Sequence, residues 1–243
     1  MRRASLIISL AACGLAMSAC GKDSEPAEPD ATTTTGQART TATTPIVTPR
    51  STKDGCSPAA EAEPRAESRT SPKRRSSRRL RYVATLRTNC GTIQIKLDAG
   101  HFPRTVRSFT ALARSGFYDG LSFYRIAKPG GNDFVIQAGD PLGTGEGGPG
   151  YSVVESPPRS QVYPVGTVAM AKADDEKRGT SGSQFFIVTG PDAVLDPVYA
   201  VLGRVVEGRR IVRRIAAVPT DPVTEMPIDP VVIKRVTVRS SPP

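Results

Sequence analysis

The aromatic side chains of this chain all lie in its last two thirds. The 7 Phe and 6 Tyr residues lie beyond residue 80, and the sequence contains no Trp. Because aromatic residues bury large apolar areas, a packed core has to form from that part of the chain. A chain of 243 residues has room for one domain with a substantial core and for flanking segments. We predict one folded domain over residues 80–240.

The stretch before that domain has a different composition. Residues 21–79 are rich in Thr, Pro, Ser, Ala, Glu and Arg and contain few large aliphatic side chains. Such a segment cannot bury enough apolar surface to offset the entropy that it would lose on ordering. The composition therefore predicts a disordered tether over residues 20–79.

The first residues follow the pattern of an export signal. Two arginines follow the first Met, residues 4–16 are apolar, and Ser18-Ala19 precedes Cys20. Residues 1–19 resemble a bacterial lipoprotein signal peptide, which would make Cys20 the acylated first residue of the mature chain. Cys13 matches the same box, but cleavage there leaves a short apolar core. The resemblance implies an exported protein, lipid-anchored to the cell membrane on its outer face or on the periplasmic side.

Two further cysteines lie downstream, Cys56 in the predicted tether and Cys90 at the first predicted strand pair. Outside the cytoplasm such a pair can oxidise and persist. A bridge would attach the end of the tether to the domain and stabilise the folded state by a few kcal/mol. Two free thiols are the alternative, because spacing along the sequence does not give the distance between the two residues.

The formal net charge of +10 is concentrated at the end of the tether. The basic residues of this run are Arg65, Arg69, Lys73, Arg74, Arg75, Arg78, Arg79 and Arg81. No aromatic residues are interleaved with them, and the export signal removes the chain from nucleic acid, so we expect no nucleic-acid partner. Anionic lipid headgroups or wall polymers fit this charge, which would make the run a basic stalk at the membrane. A solvated run without a dedicated partner is the alternative.

The periodicity beyond residue 80 predicts a mainly β domain with two helices. Alternating runs over residues 82–88 and 92–97 flank a turn and predict a β-hairpin. Apolar residues at helical spacing predict helices over residues 103–115 and 206–217. Residues 231–238 alternate as a last strand, and short extended runs lie between the helices. Many short antiparallel strands with two helices predict a closed barrel capped at its ends.

Two runs in the middle of the domain combine apolar side chains with amide groups. They are Phe134-Val135-Ile136-Gln137-Ala138-Gly139-Asp140 and Gly179-Thr180-Ser181-Gly182-Ser183-Gln184-Phe185-Phe186-Ile187. Each predicts a strand edge that offers an extended peptide both an apolar wall and hydrogen-bonding groups. Together with Phe123-Tyr124-Arg125-Ile126 upstream, these runs resemble the active-site signature of the cyclophilin family of peptidyl-prolyl cis/trans isomerases. The resemblance covers residues 82–238 and implies a closed eight-stranded antiparallel cyclophilin-like β-barrel capped by two α-helices.

The same resemblance implies roles for individual residues. Arg125 matches the catalytic arginine of the family by its place in the Phe-Tyr-Arg-Ile run. The implied substrate-binding residues supply apolar walls for a proline ring and polar or backbone groups for the flanking peptide. They are Phe134, Val135, Gln137, Ala171, Lys172, Ala173, Phe186, Leu195 and Tyr199. Family members commonly carry His at the position of Tyr124 and often Met at that of Val135.

Other chemistries find little support in the sequence. The single histidine, His101, is not accompanied by a serine or cysteine nucleophile motif, and no cluster of residues has metal-ligand spacing. Residues 143–148 fit a dinucleotide fingerprint letter by letter, but Pro149 follows where the fingerprint needs a helix. We therefore expect no metal and no cofactor, and a reaction that needs only shape and hydrogen bonds.

The function implied is peptidyl-prolyl cis/trans isomerisation that assists the folding of exported proteins at the cell envelope. Rotation about the X-Pro bond faces a barrier of about 18–20 kcal/mol. In the twisted state the proline nitrogen gains a lone pair, which a fixed guanidinium stabilises more than it stabilises the planar amide. The expected partners are proline-containing segments of unfolded or exported proteins, and the enzyme is expected to be a monomer. The alternative is a non-catalytic proline-peptide-binding module or holdase chaperone that uses the same groove.

Overall fold

A computed structural model describes residues 55–243 of the protein. The predicted signal peptide over residues 1–19, Cys20 as lipid anchor and residues 20–54 of the predicted tether lie outside the described residues. The strands of the described part are β1 (Arg81–Thr88), β2 (Gly91–Leu97), β3 (Arg125–Ala127), β4 (Val135–Ala138), β5 (Val153–Val154), β6 (Thr167–Met170), β7 (Thr180–Ser181), β8 (Phe185–Val188), β9 (Val201–Glu207) and β10 (Ile233–Ser241). Its α-helices are α1 (Pro103–Arg114) and α2 (Arg209–Ala216).

The predicted hairpin at the start of the domain is confirmed. Strands β1 and β2 pair antiparallel from Tyr82–Leu97 to Thr88–Gly91. The turn depends on Gly91, whose φ is +133° and where a Cβ would lie 2.6 Å from the Cδ1 atom of Ile211. A residue with a side chain would therefore be strained by its backbone, and the Ile211 side chain of helix α2 would have to move.

Eight strands form one antiparallel sheet in the order β10-β1-β2-β9-β6-β8-β4-β3, and β5 pairs with β7 in a separate sheet. The prediction of a closed barrel is wrong, because β3 and β10 at the two ends of this order do not pair with each other. Next to them, Ser122 and Val232 form an isolated bridge. The amide of Ile126 in β3 then donates to the carbonyl of Glu225 in a loop, 2.9 Å away, so a loop rather than a strand covers this edge. The fold is mainly β, an open half-barrel of eight curled strands with two helices.

Helix α1 begins at Pro103, as predicted, and its first turn binds a distant carboxylate. The amides of Arg104 and Thr105 donate to Glu155 Oε2 at 3.0 and 2.9 Å. A carboxylate at this end also interacts favourably with the helix dipole. The apolar stripe of the helix, including Phe109, is fully buried.

Helix α2 is shorter than predicted. The helical pattern was expected from residue 206, but β9 continues through Glu207 and the helix starts at Arg209. Gly208, with φ of +84°, makes the turn between the two elements. The helix buries Val212 and Ile215, and three of its arginines are exposed, whereas Arg214 is partly buried and its Nη1 donates to the Cys90 carbonyl at 2.9 Å. Within residues 55–243, neither helix combines the length and the apolar composition needed to cross a membrane.

The curled sheet buries apolar side chains on both faces. The inner face packs against α1 around fully buried rings, with Tyr118 and Phe185 meeting edge to face at a centroid distance of 5.9 Å. The outer face carries a second buried cluster that contains Phe186. Adjacent residues of a strand point to opposite faces, so Phe185 and Phe186 belong to different cores.

Residues 55–79, here called the strap, run along the surface of the domain, which differs from the disorder expected of them. Main-chain amides of the strap donate to carbonyls of the domain at 2.8–2.9 Å. The Ser57 amide donates to the Asn89 carbonyl, that of Arg65 to Pro141, that of Arg69 to Pro149 and that of Ser76 to Pro103. A disulfide joins Cys56 to Cys90, with an S–S distance of 2.03 Å, so the structure contains the bridged alternative. Composition does not report main-chain hydrogen bonds or a covalent link, and these act together with side-chain contacts such as that of Arg65 Nη2, which donates to the Phe117 carbonyl at 2.7 Å.

Candidate active site

A row of residues across four neighbouring strands brings predicted site residues together. The register pairs Arg125 with Gln137, Gln137 with Phe186, and Phe186 with Ala169. Residues that face each other in an antiparallel sheet project from the same face, and this face is opposite to that of Phe185. The candidate site therefore lies on the outer face of the half-barrel, away from the main core.

The predicted apolar wall lies beside this row as a single cluster. Its predicted members are Phe134, Val135, Phe186, Leu195 and Tyr199, and Ala171 packs against them. The rings of Phe186 and Tyr199 meet edge to face at a centroid distance of 5.2 Å. Phe186 is fully buried, whereas Phe134 and Leu195 keep 8% and 9% of their surface exposed. We call this cluster and the adjoining row the groove: Phe186 is its floor, and Phe134 and Leu195, which retain more exposed surface, are its rim.

Tyr199 is fixed by a second tyrosine. The hydroxyl of Tyr163 donates to the Tyr199 carbonyl at 2.7 Å and accepts from the Tyr199 amide at 3.1 Å. Burial raises the pKa of Tyr163 to about 12 and also raises the pKa of Tyr199, where the charges of Asp174 and Asp196 add to the effect. Both phenols are therefore neutral at physiological pH.

Arg125 is held from two sides. Its Nε donates to Glu225 Oε2 at 2.6 Å, and its Nη1 donates to Gln137 Oε1 at 3.4 Å. The exposed fraction of the Arg125 side-chain surface is 24%, so the guanidinium is oriented by these bonds and also accessible. Glu225 was not predicted from the sequence, because it is an isolated acidic residue in a loop and belongs to no recognisable pattern.

Tyr124, next to Arg125, joins two glutamines. Gln137 Nε2 donates to the Tyr124 hydroxyl and, at 3.1 Å, to Gln184 Oε1, and the Tyr124 hydroxyl itself donates to Gln184 Oε1. Burial raises the pKa of Tyr124 far above its ordinary value, and the charge of Asp140 adds to this effect. A neutral tyrosine at this position therefore fixes the side chain of Gln137.

The glycine-rich segment over residues 143–148 folds over this network. Gln184 Nε2 donates to the carbonyls of Gly145 and Gly147, both at 2.8 Å. The Asp140 carboxylate accepts the amide of Leu142 at 2.8 Å and that of Thr144, within the segment, at 2.9 Å. An extended stretch leading to β5 follows, rather than a helix, so the arrangement lacks the helix that a dinucleotide fingerprint requires.

Residues 171–173 lie next to Gln184 at the end of β6. The amide of Ala171 donates to the Gln184 carbonyl at 2.9 Å, and the amide of Ala173 donates to Glu176 Oε2 at 2.8 Å. The Lys172 ammonium group bonds to the Ala173 carbonyl. The segment is placed beside the row as the resemblance implies, but these two amides already have partners within the chain.

The polar groups that converge on the groove are one guanidinium, two side-chain amides and one phenol. Among residues 55–243, no three His, Cys, Asp or Glu side chains are grouped so that they could hold a metal ion. Together with the apolar floor, the groups present can bind an extended peptide and stabilise a lone pair that forms within it.

Comparison with known proteins decides the family. Residues 83–238 match the model of the family described as cyclophilin type peptidyl-prolyl cis-trans isomerase/CLD. The chain belongs to the cyclophilin family. This cyclophilin is 40% identical over 176 residues to peptidyl-prolyl cis-trans isomerase B of Streptomyces anulatus, which covers 65% of the chain and 96% of that protein. It is also 40% identical over 174 residues to peptidyl-prolyl cis-trans isomerase A of Mycobacterium tuberculosis, covering 64% and 91% of the two chains.

Solved structures agree with this assignment. A crystal structure of a cyclophilin type peptidyl-prolyl cis-trans isomerase of Cryptosporidium parvum superposes with a TM-score of 0.59 at 31% identity, covering 67% of this chain and 99% of that one. A second structure of the same protein, in the presence of the dipeptide Ala-Pro, gives a TM-score of 0.58 at 31% identity, covering 65% and 99%. The family model, the relatives and the solved structures confirm the predicted peptidyl-prolyl cis/trans isomerase activity. This cyclophilin is therefore an enzyme rather than only a peptide-binding module.

Proposed function

We propose that Arg125 is the catalytic residue of this isomerase and that the substrate is a proline-containing segment of an unfolded, exported protein. The observation that carries the proposal is that the Arg125 guanidinium donates hydrogen bonds to both Glu225 and Gln137 at the edge of the apolar groove. A proline ring contacts Phe134 and Leu195 at the rim, above the floor formed by Phe186.

The proposed mechanism uses the change in the amide during rotation. In the planar ground state the nitrogen lone pair is delocalised, whereas in the twisted state it can accept a hydrogen bond from a guanidinium N–H. Because the Arg125 side chain is already oriented, little reorganisation is needed when that lone pair forms. Each 1.4 kcal/mol or so of preferential stabilisation accelerates rotation about tenfold.

The test replaces Arg125 in the full chain. Arg125→Ala is expected to lower kcat/KM for cis-to-trans isomerisation of an X-Pro peptide by at least about tenfold, since it removes a charge-assisted hydrogen bond made in the transition state. Arg204→Ala is the matched control, because Arg204 is exposed on β9. Unchanged kcat/KM in a folded Arg125→Ala protein would contradict the catalytic role.

The proposed place of action is the outer side of the cell membrane. The signal pattern of residues 1–19 supports export, and the disulfide between Cys56 and Cys90 is of a kind that persists in oxidising compartments. Labelling with a fatty-acid probe tests the anchor: Cys20→Ser should abolish the label and Cys13→Ser should not. Absence of label on the wild-type chain would contradict lipid anchoring.

We further propose that basic groups at the end of the strap lie against the anionic membrane surface and that the enzyme acts as a monomer. Lys73, Arg74, Arg75, Arg78 and Arg79 are all exposed. The adjoining sheet face is basic as well, since Arg87 of β1 lies directly opposite Arg235 of β10. Like charges in such a pair repel each other, and an anionic surface would relieve this repulsion. Salt-sensitive binding to vesicles that contain anionic lipid, and not to neutral vesicles, is the expected result.

A further inference from the structure

Glu225 has an unusual backbone conformation. Among residues 55–243 it is the one residue other than glycine with a positive φ, at 58°. For a residue with a Cβ, this left-handed conformation is unfavourable and persists where the surrounding structure imposes it. Such residues cluster at functional sites, so the contacts of Glu225 are informative.

The loop around Glu225, residues 219–228, imposes this conformation through its own hydrogen bonds. The Glu225 amide donates to the Asp221 carbonyl, and the Asp221 amide donates to the Met226 carbonyl, both at 2.9 Å. The Asp221 carboxylate accepts the amide and the hydroxyl of Thr224 at 2.8 and 2.9 Å. These bonds lower the pKa of Asp221, so the carboxylate is charged across the physiological range. None of these bonds uses the side chain of Glu225.

The side chain and the carbonyl of Glu225 are both directed at strand β3. The carbonyl accepts the amide of Ile126 at 2.9 Å, and the carboxylate accepts Nε of Arg125 at 2.6 Å. A single residue thereby fixes the backbone and the guanidinium at two consecutive positions of the strand. The ion pair is partly shielded, with 24% of the Arg125 and 30% of the Glu225 side chain exposed.

We propose that Glu225 is a positioning residue for isomerisation, which rests on the proposed catalytic role of Arg125. A guanidinium is a planar fork with five N–H donors. A carboxylate that binds Nε fixes the plane of the fork and leaves its two terminal NH₂ groups for other acceptors, and Nη1 donates to Gln137 Oε1. The substrate amide then meets a donor whose orientation is set before binding, and loss of this orientation lowers the rate of the chemical step.

The test uses two substitutions at Glu225 in the full chain. In Glu225→Gly, glycine accepts the positive φ without strain and keeps the carbonyl that binds Ile126, but the carboxylate is lost. We expect an unchanged or raised Tm together with a fall of about tenfold in kcat and little change in KM. In Glu225→Gln, an amide oxygen remains to accept Nε, so its kcat should lie between those of the wild type and Glu225→Gly. The control is Glu207→Gln on β9, which makes the same change of charge on an exposed side chain that binds Gln94.

A double-mutant cycle shows whether Glu225 acts through Arg125. Adding Glu225→Gly to Arg125→Ala should cause no further fall in kcat/KM, because the group to be positioned is already absent. A further fall, full activity of Glu225→Gly, or a rise in KM without loss of kcat would each overturn the inference. If Arg125→Ala is inactive while Glu225→Gly is fully active, only this inference fails. If Arg125→Ala is fully active, the proposed catalytic role fails, and the positioning role of Glu225, which rests on it, fails as well.

Discussion

Reduction of the disulfide between Cys56 and Cys90 is expected to remove a large part of the stability of this cyclophilin. The two residues are separated by 34 positions in sequence. In the chain-entropy model, opening a loop of this length raises the entropy of the unfolded chain by about 13 cal/mol/K. At 25 °C this corresponds to a loss of about 4 kcal/mol in the free energy of unfolding, a substantial fraction of the 5–15 kcal/mol typical of a domain.

The measurement is urea unfolding with and without a phosphine reductant. A chain that carries Cys13→Ser and Cys20→Ser leaves Cys56 and Cys90 as its two cysteines. With a urea m-value of about 2 kcal/mol/M, the midpoint should fall by about 2 M on reduction. Reduction is a cleaner perturbation than serine substitution, since both cysteines are buried and a hydroxyl there would need a new partner.

Two controls make the result interpretable. A Cys56→Ala/Cys90→Ala chain should unfold near the reduced midpoint and should not respond to reductant. Thiol titration should show that both sulfur atoms are free in the reduced sample. If the midpoint stays unchanged although both thiols are counted, the disulfide does not constrain the unfolded chain and the loop argument is refuted.

Three further perturbations test other parts of the structure. Tyr124→Phe removes the hydroxyl that joins two amides and should lower the free energy of unfolding by about 1–3 kcal/mol in urea, with kcat also reduced; unaltered stability would mean that the network is not formed. Burial raises the pKa of tyrosines in the folded protein, to about 12 for Tyr163, above the value of about 10 in the unfolded chain. The stability that these neutral side chains contribute is complete below about pH 10 and is lost as pH rises through their pKa values in the folded state, so Tm should fall above pH 10. A flat Tm between pH 9 and about 12 would contradict this. Gly139→Ala places a Cβ 2.5 Å from the Ser183 carbonyl at a φ of +94°, so it should lower Tm by 10 °C or more, whereas a Tm within about 2 °C of the wild type would refute the packing.

Sequence periodicity predicted individual strands and helices, but it did not predict whether the sheet closes into a barrel. The first hairpin, helix α1 and the last strand were all predicted from alternation and helical spacing, because these patterns report which face of each element is buried. Closure of the sheet depends on whether β3 and β10 meet, and pairing between strands more than 100 positions apart leaves no local pattern. The start of α2 was missed because Val206 has a suitable spacing for either element, and Gly208 decides the boundary.

For the site, the sequence alone determined the chemical groups: the two motif runs with Arg125 carry the family signature and supply apolar side chains together with the amides of Gln137 and Gln184. Tertiary structure decided what those groups contact. Register places Arg125, Gln137 and Phe186 in one row, the loop at residues 219–228 brings Glu225 to the guanidinium, and main-chain hydrogen bonds hold the strap. The physical reason is that side-chain patterns record burial, whereas an ion pair across 100 positions or a backbone hydrogen bond depends on where the folded chain places each end.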